Sequence, residues 1–262
     1  MAKQLVTRQQ LMGDLRTMGI ETGDVVMVHC RMSALGWIPG GEQTVCEAIR
    51  EVVGAAGTIV MPSQSWQLCD PAFLNDPELP EASWDQIRGS LPAFDKAVTP
   101  TRTMGAVAEL FRTLPGTLRS DHPHRSVSAS GPHAAGIVAH HALSSPMGQT
   151  SPFGALYDLS AKILLLGVGY DKCTAIHLAE DRGDYPGKLK VNNGAVVMVD
   201  GTRAWASWRE LAVSAEDFQA VGAEFAATGL DRVGRVGNAE ARVVPIRELV
   251  DFATEWFTTH RG

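Results

Sequence analysis

The chain has 262 residues, enough for a full hydrophobic core in one large domain or two small ones. Hydrophobic residues make up 45% and charged residues 20%, an ordinary globular composition, and no apolar run approaches the roughly 20 residues of a membrane span. A net charge of −6 argues against nucleic acid as the main partner and suits a cationic ligand.

The opening residues, MAKQLVTRQQ, hold no apolar stretch of the signal-peptide kind. Cys30, Cys46, Cys69 and Cys173 lie far apart without a C-x-x-C pair. Both features point to a cytoplasmic protein with reduced thiols and neither a disulfide frame nor a zinc site. Thr7-Arg8-Gln9-Gln10 reads as a capping box that starts a helix running to about Met18, with Leu11, Leu15 and Met18 on one face. Residues 24–29 (DVVMVH) form a short buried strand, 32–41 a loop of glycines and small residues, and 43–53 an amphipathic helix ended by Gly54. Thr58 to Met61 is a second strand, stopped by Pro62. Strand, helix, strand in that order is a βαβ unit, which implies a parallel pair and a right-handed crossover.

Residues 63–100 differ. They are rich in Pro, Asp, Glu and Trp, show no period, and read as an irregular, substrate-side segment. A helix resumes over 105–113, a strand over 126–129, a helix over 134–142 and an apolar strand over 163–166. Residues 196–208 form a hairpin turning at Asp200-Gly201, and 245–260 form a final helix with Leu249, Phe252, Ala253 and Trp256 on one stripe. The expected fold is α/β: a three-layer core with a mainly parallel sheet, an antiparallel hairpin and an irregular acidic insertion, all in one domain spanning 1–262.

Chemistry concentrates past the apolar strand, in LLLGVGYDKCTAIHLAE (164–180). Ligands in open α/β sheets gather at the carboxyl ends of strands. Thr174, His177 and Glu180 fall three apart on one face of the helix that follows. A carboxylate one turn from an imidazole can hold one ring nitrogen and leave the other to take a proton. The same spacing also suits a buried structural histidine beside a solvated glutamate. The loop HCRMSALGWIPGG (29–41) could offer free N–H groups to an anion, or be an ordinary βα connection. It is not a nucleoside-triphosphate P-loop, and G-V-G at 167–169 does not complete a dinucleotide fingerprint. Asp70, Asp76, Glu78, Glu81, Asp85 and Asp95, framed by Trp66 and Trp84, suit a polycationic sugar or amine, or a solvated surface loop. DHPHRS (121–126), His133, His140 and His141 lack metal-site spacing, so no metal is expected, and G-x-S-x-G is absent.

Taken in order, VMVHCRMSALGWIPGG, GTIVMPSQSW, PAFDKAVTPTRTMGAVAELFR, RSDHPHRSVSASGP, LLLGVGYDKCTAIHLAE and DYPGKLKV closely resemble the aminoglycoside 3-N-acetyltransferases. The resemblance spans most of the chain. It implies an α/β fold unlike the common small acetyltransferase fold, acetyl-coenzyme A as co-substrate and an aminoglycoside as partner. It further implies that Arg31, Ser33, Ala34, Leu35, Gly36, Thr103, Met104, Gly105 and Ser126 line the coenzyme site. His177 and Glu180 would carry the chemistry, with Thr174 near the thioester. Asp70, Asp95, Asp171 and Glu224 are the matches for acidic antibiotic contacts. Cys30 departs from the family pattern, where serine is common. The implied reaction is acetylation of the 3-amine of a 2-deoxystreptamine ring, by direct attack with a His–Glu base. The alternatives are transfer to another biosynthetic amine, and sequestration of aminoglycosides without chemistry. No nucleic acid or membrane partner is expected, and the chain is read as a monomer or homodimer.

Overall fold

In the computed structural model, which describes residues 4–262, Thr7 caps α1 (Arg8–Thr17), its hydroxyl accepting the Gln10 N–H at 3.2 Å. β1 (Val25–Cys30), α2 (Gly41–Val53) and β2 (Thr58–Pro62) follow as the expected βαβ unit, with β1 and β2 parallel. Val26, Val28, Ile59 and Met61 face one hydrophobic core, and Met27 and Val60 face the other. Covering on both faces explains why these strands read as continuous apolar runs rather than alternating ones.

Residues 63–100 carry no strand. They hold α3 (Pro71–Leu74), α4 (Trp84–Ser90) and two single 3₁₀ turns. The chain then forms α5 (Ala106–Thr113), β3 (Leu118–Arg119), β4 (Val127–Ser130), α6 (Ala134–Val138), α7 (Pro152–Asp158), β5 (Lys162–Leu166) and α8 (Ile176–Arg182). A long hairpin, β6 (Lys190–Val199) and β7 (Thr202–Leu211), turns where Asp200 and Gly201 both adopt positive φ, as a type I′ turn requires. α9 (Phe218–Ala226), β8 (Arg232–Val236), β9 (Ala239–Pro245) and α10 (Ile246–His260) complete it.

The seven-stranded sheet has the order β3-β4-β2-β1-β5-β9-β8. β2, β1 and β5 are parallel at its centre, and the pairs outside them are antiparallel, so β3, β2, β1, β5 and β8 all run one way. Side chains of α1, α2 and α5 cover one face; those of α7, α8, α9 and α10 cover the other. The α/β fold is therefore the expected one. The details not anticipated are the short helices α3, α4 and α7, the strand β3, α9, the β8–β9 hairpin, and α6 ending at Val138, four residues early. His141, placed in that helix by its sequence, instead turns inward and bonds Ser120 and Pro146.

The β6–β7 hairpin and the acidic segment form one wall. Arg203 Nη2 donates to the carbonyls of Arg88, Gly89 and Leu91 at 3.2, 2.9 and 2.9 Å, closing the end of α4. The Phe94 N–H bonds the Val196 carbonyl at 3.0 Å. The buried Arg125–Glu210 pair ties β7 to the loop before β4.

Candidate active site

β1 and β5 are adjacent and parallel, so the loops leaving their carboxyl ends stand side by side. The Arg31 N–H bonds the Leu166 carbonyl and the Gly167 N–H bonds the Glu240 carbonyl, both at 2.9 Å. Gly167 has φ +66°, and a Cβ there would lie 2.5 Å from the Ala34 Cβ. Only glycine allows both that conformation and that approach. Above this contact opens a cavity of about 1200 Å³.

His177 lines the cavity from the first turn of α8. Its Nδ1 is bonded to Glu180 Oε2, one turn on, which leaves Nε2 as the nitrogen free to meet a ligand. The Phe218 ring packs against the imidazole at 4.7 Å between centroids. Glu180 is not solvated at all. Its Oε1 accepts the Ser214 N–H at 3.0 Å and Arg261 Nη1 at 2.6 Å. Burial lowers the His177 pKa below its ordinary 6.5, and the Glu180 carboxylate opposes that shift. The imidazole is thus neutral at pH 7 and able to accept a proton. Thr174 Oγ1 and His29 Nε2 are buried without a hydrogen-bond partner, and both residues line the same cavity. Neither atom's hydrogen-bonding capacity is taken up by the protein. His29 was not singled out from the sequence, because a histidine ending a strand carries no local signature.

The structure brings Thr174, His177 and Glu180 together, with Glu180 behind the imidazole. Of the residues expected on the coenzyme side, Arg31, Ser33, Ala34, Thr103, Met104 and Gly105 line the cavity. Leu35 is fully buried in the core under α1 and α2, and Gly36 packs beside Val6. Ser126 is also fully buried: it accepts from Arg119 Nε at 2.9 Å and donates to the Ser63 carbonyl at 2.7 Å. These three stand behind the lining and shape it without facing it.

Of the four acids, only Asp171 lines the cavity. Asp70 caps α3 and is engaged by Arg88, whose Nη2 lies 2.8 Å from its Oδ1. Asp95 holds the backbone of its own turn, accepting the Ala97 N–H at 2.7 Å. Glu224 lies on the exposed face of α9. Spacing in sequence could not separate a carboxylate aimed at a ligand from one occupied by an arginine 18 residues away.

His122, His124 and His141 form a buried cluster around Trp208 rather than a metal site. His122 Nδ1 accepts the N–H groups of His124 and Arg125, both at 3.1 Å. His141 Nε2 bonds the Pro146 carbonyl at 2.9 Å, so that nitrogen carries the proton and Nδ1 takes the Ser120 hydroxyl. Among the described residues no group of three or more His, Cys, Asp or Glu is arranged to hold a metal ion. Burial holds His29 and His141 at about 4 and His124 at about 3, with His122 also well below 6.5. The unfolded chain binds protons at these sites from about pH 6.5 downward, whereas the folded chain does not. Stability is therefore complete above that pH and falls as pH drops toward 4. Urea unfolding at pH 7.5 and 5.0 should show a loss on the order of a few kcal/mol, and equal midpoints would rule out buried neutral histidines.

A sequence model described as aminoglycoside 3-N-acetyltransferase matches residues 27–258. The SPbeta prophage-derived aminoglycoside N(3')-acetyltransferase-like protein YokD of Bacillus subtilis is 43% identical over 252 residues, covering 96% of this chain and 92% of that one. Its crystal structure superposes with a TM-score of 0.95, covering 99% and 96% of the two chains. Aminoglycoside N(3)-acetyltransferase VII of Streptomyces paromomycinus is 34% identical, covering 98% and 93%. A structure of AAC-IIIb with CoASH has a TM-score of 0.89 at 29% identity, covering 99% and 98%. The matches over nearly the whole chain place this α/β fold among the acetyltransferases. The chain belongs to the aminoglycoside 3-N-acetyltransferase family.

Proposed function

We propose that this protein transfers acetyl from acetyl-coenzyme A to the 3-amine of the 2-deoxystreptamine ring of an aminoglycoside, with His177 as general base. The observation that carries the reading is the His177–Glu180 pair, buried on one side and open to a 1200 Å³ cavity on the other. Relatives named for this reaction, and a solved relative holding CoASH, support it.

An amine is an ammonium at neutral pH and cannot attack until it loses a proton. Nε2 of His177 takes that proton, and Glu180 stabilises the imidazolium that results. The nitrogen bonds to the thioester carbonyl carbon, the imidazolium protonates the sulfur as the carbon–sulfur bond breaks, and the neutral imidazole then takes the remaining extra proton from the new amide nitrogen and passes it to solvent. The unpartnered Thr174 hydroxyl is suited to donate to the oxyanion that forms between these steps. Arg31 and the N–H groups at the start of α5 supply positive potential on the coenzyme side. Asp171, beside Lys172 at 3.2 Å, and Glu240, paired with Arg242 at 2.9 Å, are carboxylates on the wall that an ammonium of the acceptor could share.

Incubation with acetyl-coenzyme A and gentamicin, kanamycin, apramycin or neomycin should release free thiol and add one acetyl mass to the antibiotic. Thiol release with none of them, against transfer to other amines, would move the substrate class; binding without release would make the protein a sequestering module. Only the neutral imidazole is a base, so kcat/KM rises as pH climbs through the His177 pKa. With that pKa lowered by burial, the acid limb should lie below pH 6.5.

A further inference from the structure

Glu180 is a fully buried carboxylate whose two oxygens have different tasks. Oε2 holds the imidazole, while Oε1 is given to two anchors, the Ser214 N–H and Arg261 Nη1. Arg261 lies just past α10, 81 residues from Glu180 in the chain. Its guanidinium is itself fixed on three sides. Asp217 takes it bidentately, Nε and Nη2 each at 2.7 Å. The Ser214 carbonyl accepts Nη2 at 3.2 Å, and the Phe257 ring lies 4.0 Å beneath it. Such a fork-to-fork pair sets direction as well as charge.

We propose that Arg261 is a positioning residue for acyl transfer: anchored by Asp217, it locks the Glu180 carboxylate so that Nδ1 of His177 is held and Nε2 is delivered to the cavity. The proposal rests on the reading of His177 as the base. Arg261 is not a lining residue of the cavity; it reaches His177 through the Glu180 carboxylate and through its charge.

Charge gives it a second effect. The charged groups acting on His177 are Glu180 on α8, Arg261 after α10 and Arg125 from the loop before β4; Asp217 before α9 and Tyr185 after α8 bond Arg261, and Glu210 of β7 pairs with Arg125. Resting, Glu180, Asp217 and Arg261 sum to one negative charge, which the protonated imidazole cancels. Removing the guanidinium leaves the Glu180 carboxylate beside His177 without its countercharge, so the pair takes up its second proton at higher pH. Removing the Asp217 charge has the opposite sign. The pair titrates as a unit, and the argument holds wherever in it the proton resides.

The test is the pH profile of kcat/KM for Arg261→Met, Arg261→Lys and Asp217→Asn beside the parent, with folding checked by melting and circular dichroism. Arg261→Met should lower kcat roughly 10- to 100-fold, by analogy with outer-shell partners of metal-bound histidines, and leave KM for acetyl-coenzyme A unchanged. Its acid limb should move up by about one pH unit. Arg261→Lys should return the limb toward the parent while recovering kcat only in part, and Asp217→Asn should move it down. A folded Arg261→Met enzyme with an unmoved limb overturns the proposal. So do Arg261→Met and Asp217→Asn limbs that shift the same way. Failure of the underlying reading looks different: His177→Ala would then retain the parental rate.

Discussion

Replacing His177 by alanine should lower turnover about 10²- to 10⁴-fold while acetyl-coenzyme A binding stays nearly intact, the usual contribution of one positioned general base. The expected size follows from geometry. Among the groups lining the cavity, His177 is the imidazole backed by a carboxylate, and its pKa is lowered by burial rather than raised beyond use. Glu180→Gln keeps the shape and removes the charge, so it should slow turnover without matching the alanine variant. Steady-state rates, with coenzyme affinity from calorimetry, separate the chemical step from binding. A His177→Ala enzyme working at the parental rate would remove this residue from the reaction.

Arg125→Met should cost about 3–5 kcal/mol of stability, because it strands a carboxylate in the interior. Arg125 is 2% exposed and Glu210 fully buried; Nε and Nη2 of Arg125 reach Glu210 Oε1 at 3.3 and 3.0 Å. Trp208 Nε1 donates to the other oxygen at 2.6 Å, and the Trp66 ring lies 4.5 Å from the guanidinium carbon. For a chain of this size the melting temperature should fall by on the order of 10 °C. Arg125→Met combined with Glu210→Gln removes both charges and should recover much of the loss. A single variant melting within a degree of the parent would show that the pair is not needed to dock the hairpin.

Both expectations depend on partners far apart in sequence, and this divides what could be read from the chain from what could not. The βαβ unit was legible because apolar periodicity and glycine stops are local signals, as was the Asp200-Gly201 turn. Thr174, His177 and Glu180 were legible because three-residue spacing on a helix is itself geometry. Arg261 and Ser214 were not, since nothing near them in sequence mentions Glu180. The Asp70–Arg88 contact was hidden for the same reason: both residues were visible in the sequence, but their pairing was not. α9 did carry a signal, with Phe218, Val221, Gly222 and Phe225 spaced as one helical face. The β8–β9 hairpin was harder, because arginines interrupt its alternation, as suits a sheet edge.

The tether from Arg203 ends on three main-chain carbonyls rather than on side chains. Every amino acid presents a carbonyl, so residues 88–91 can be rewritten without undoing that clasp. The cavity wall at Gly167 has no such freedom, since a side chain there would meet Ala34. Sequence change is thereby tolerated more readily at the Arg203 clasp than on the cavity wall where the loops leaving β1 and β5 meet.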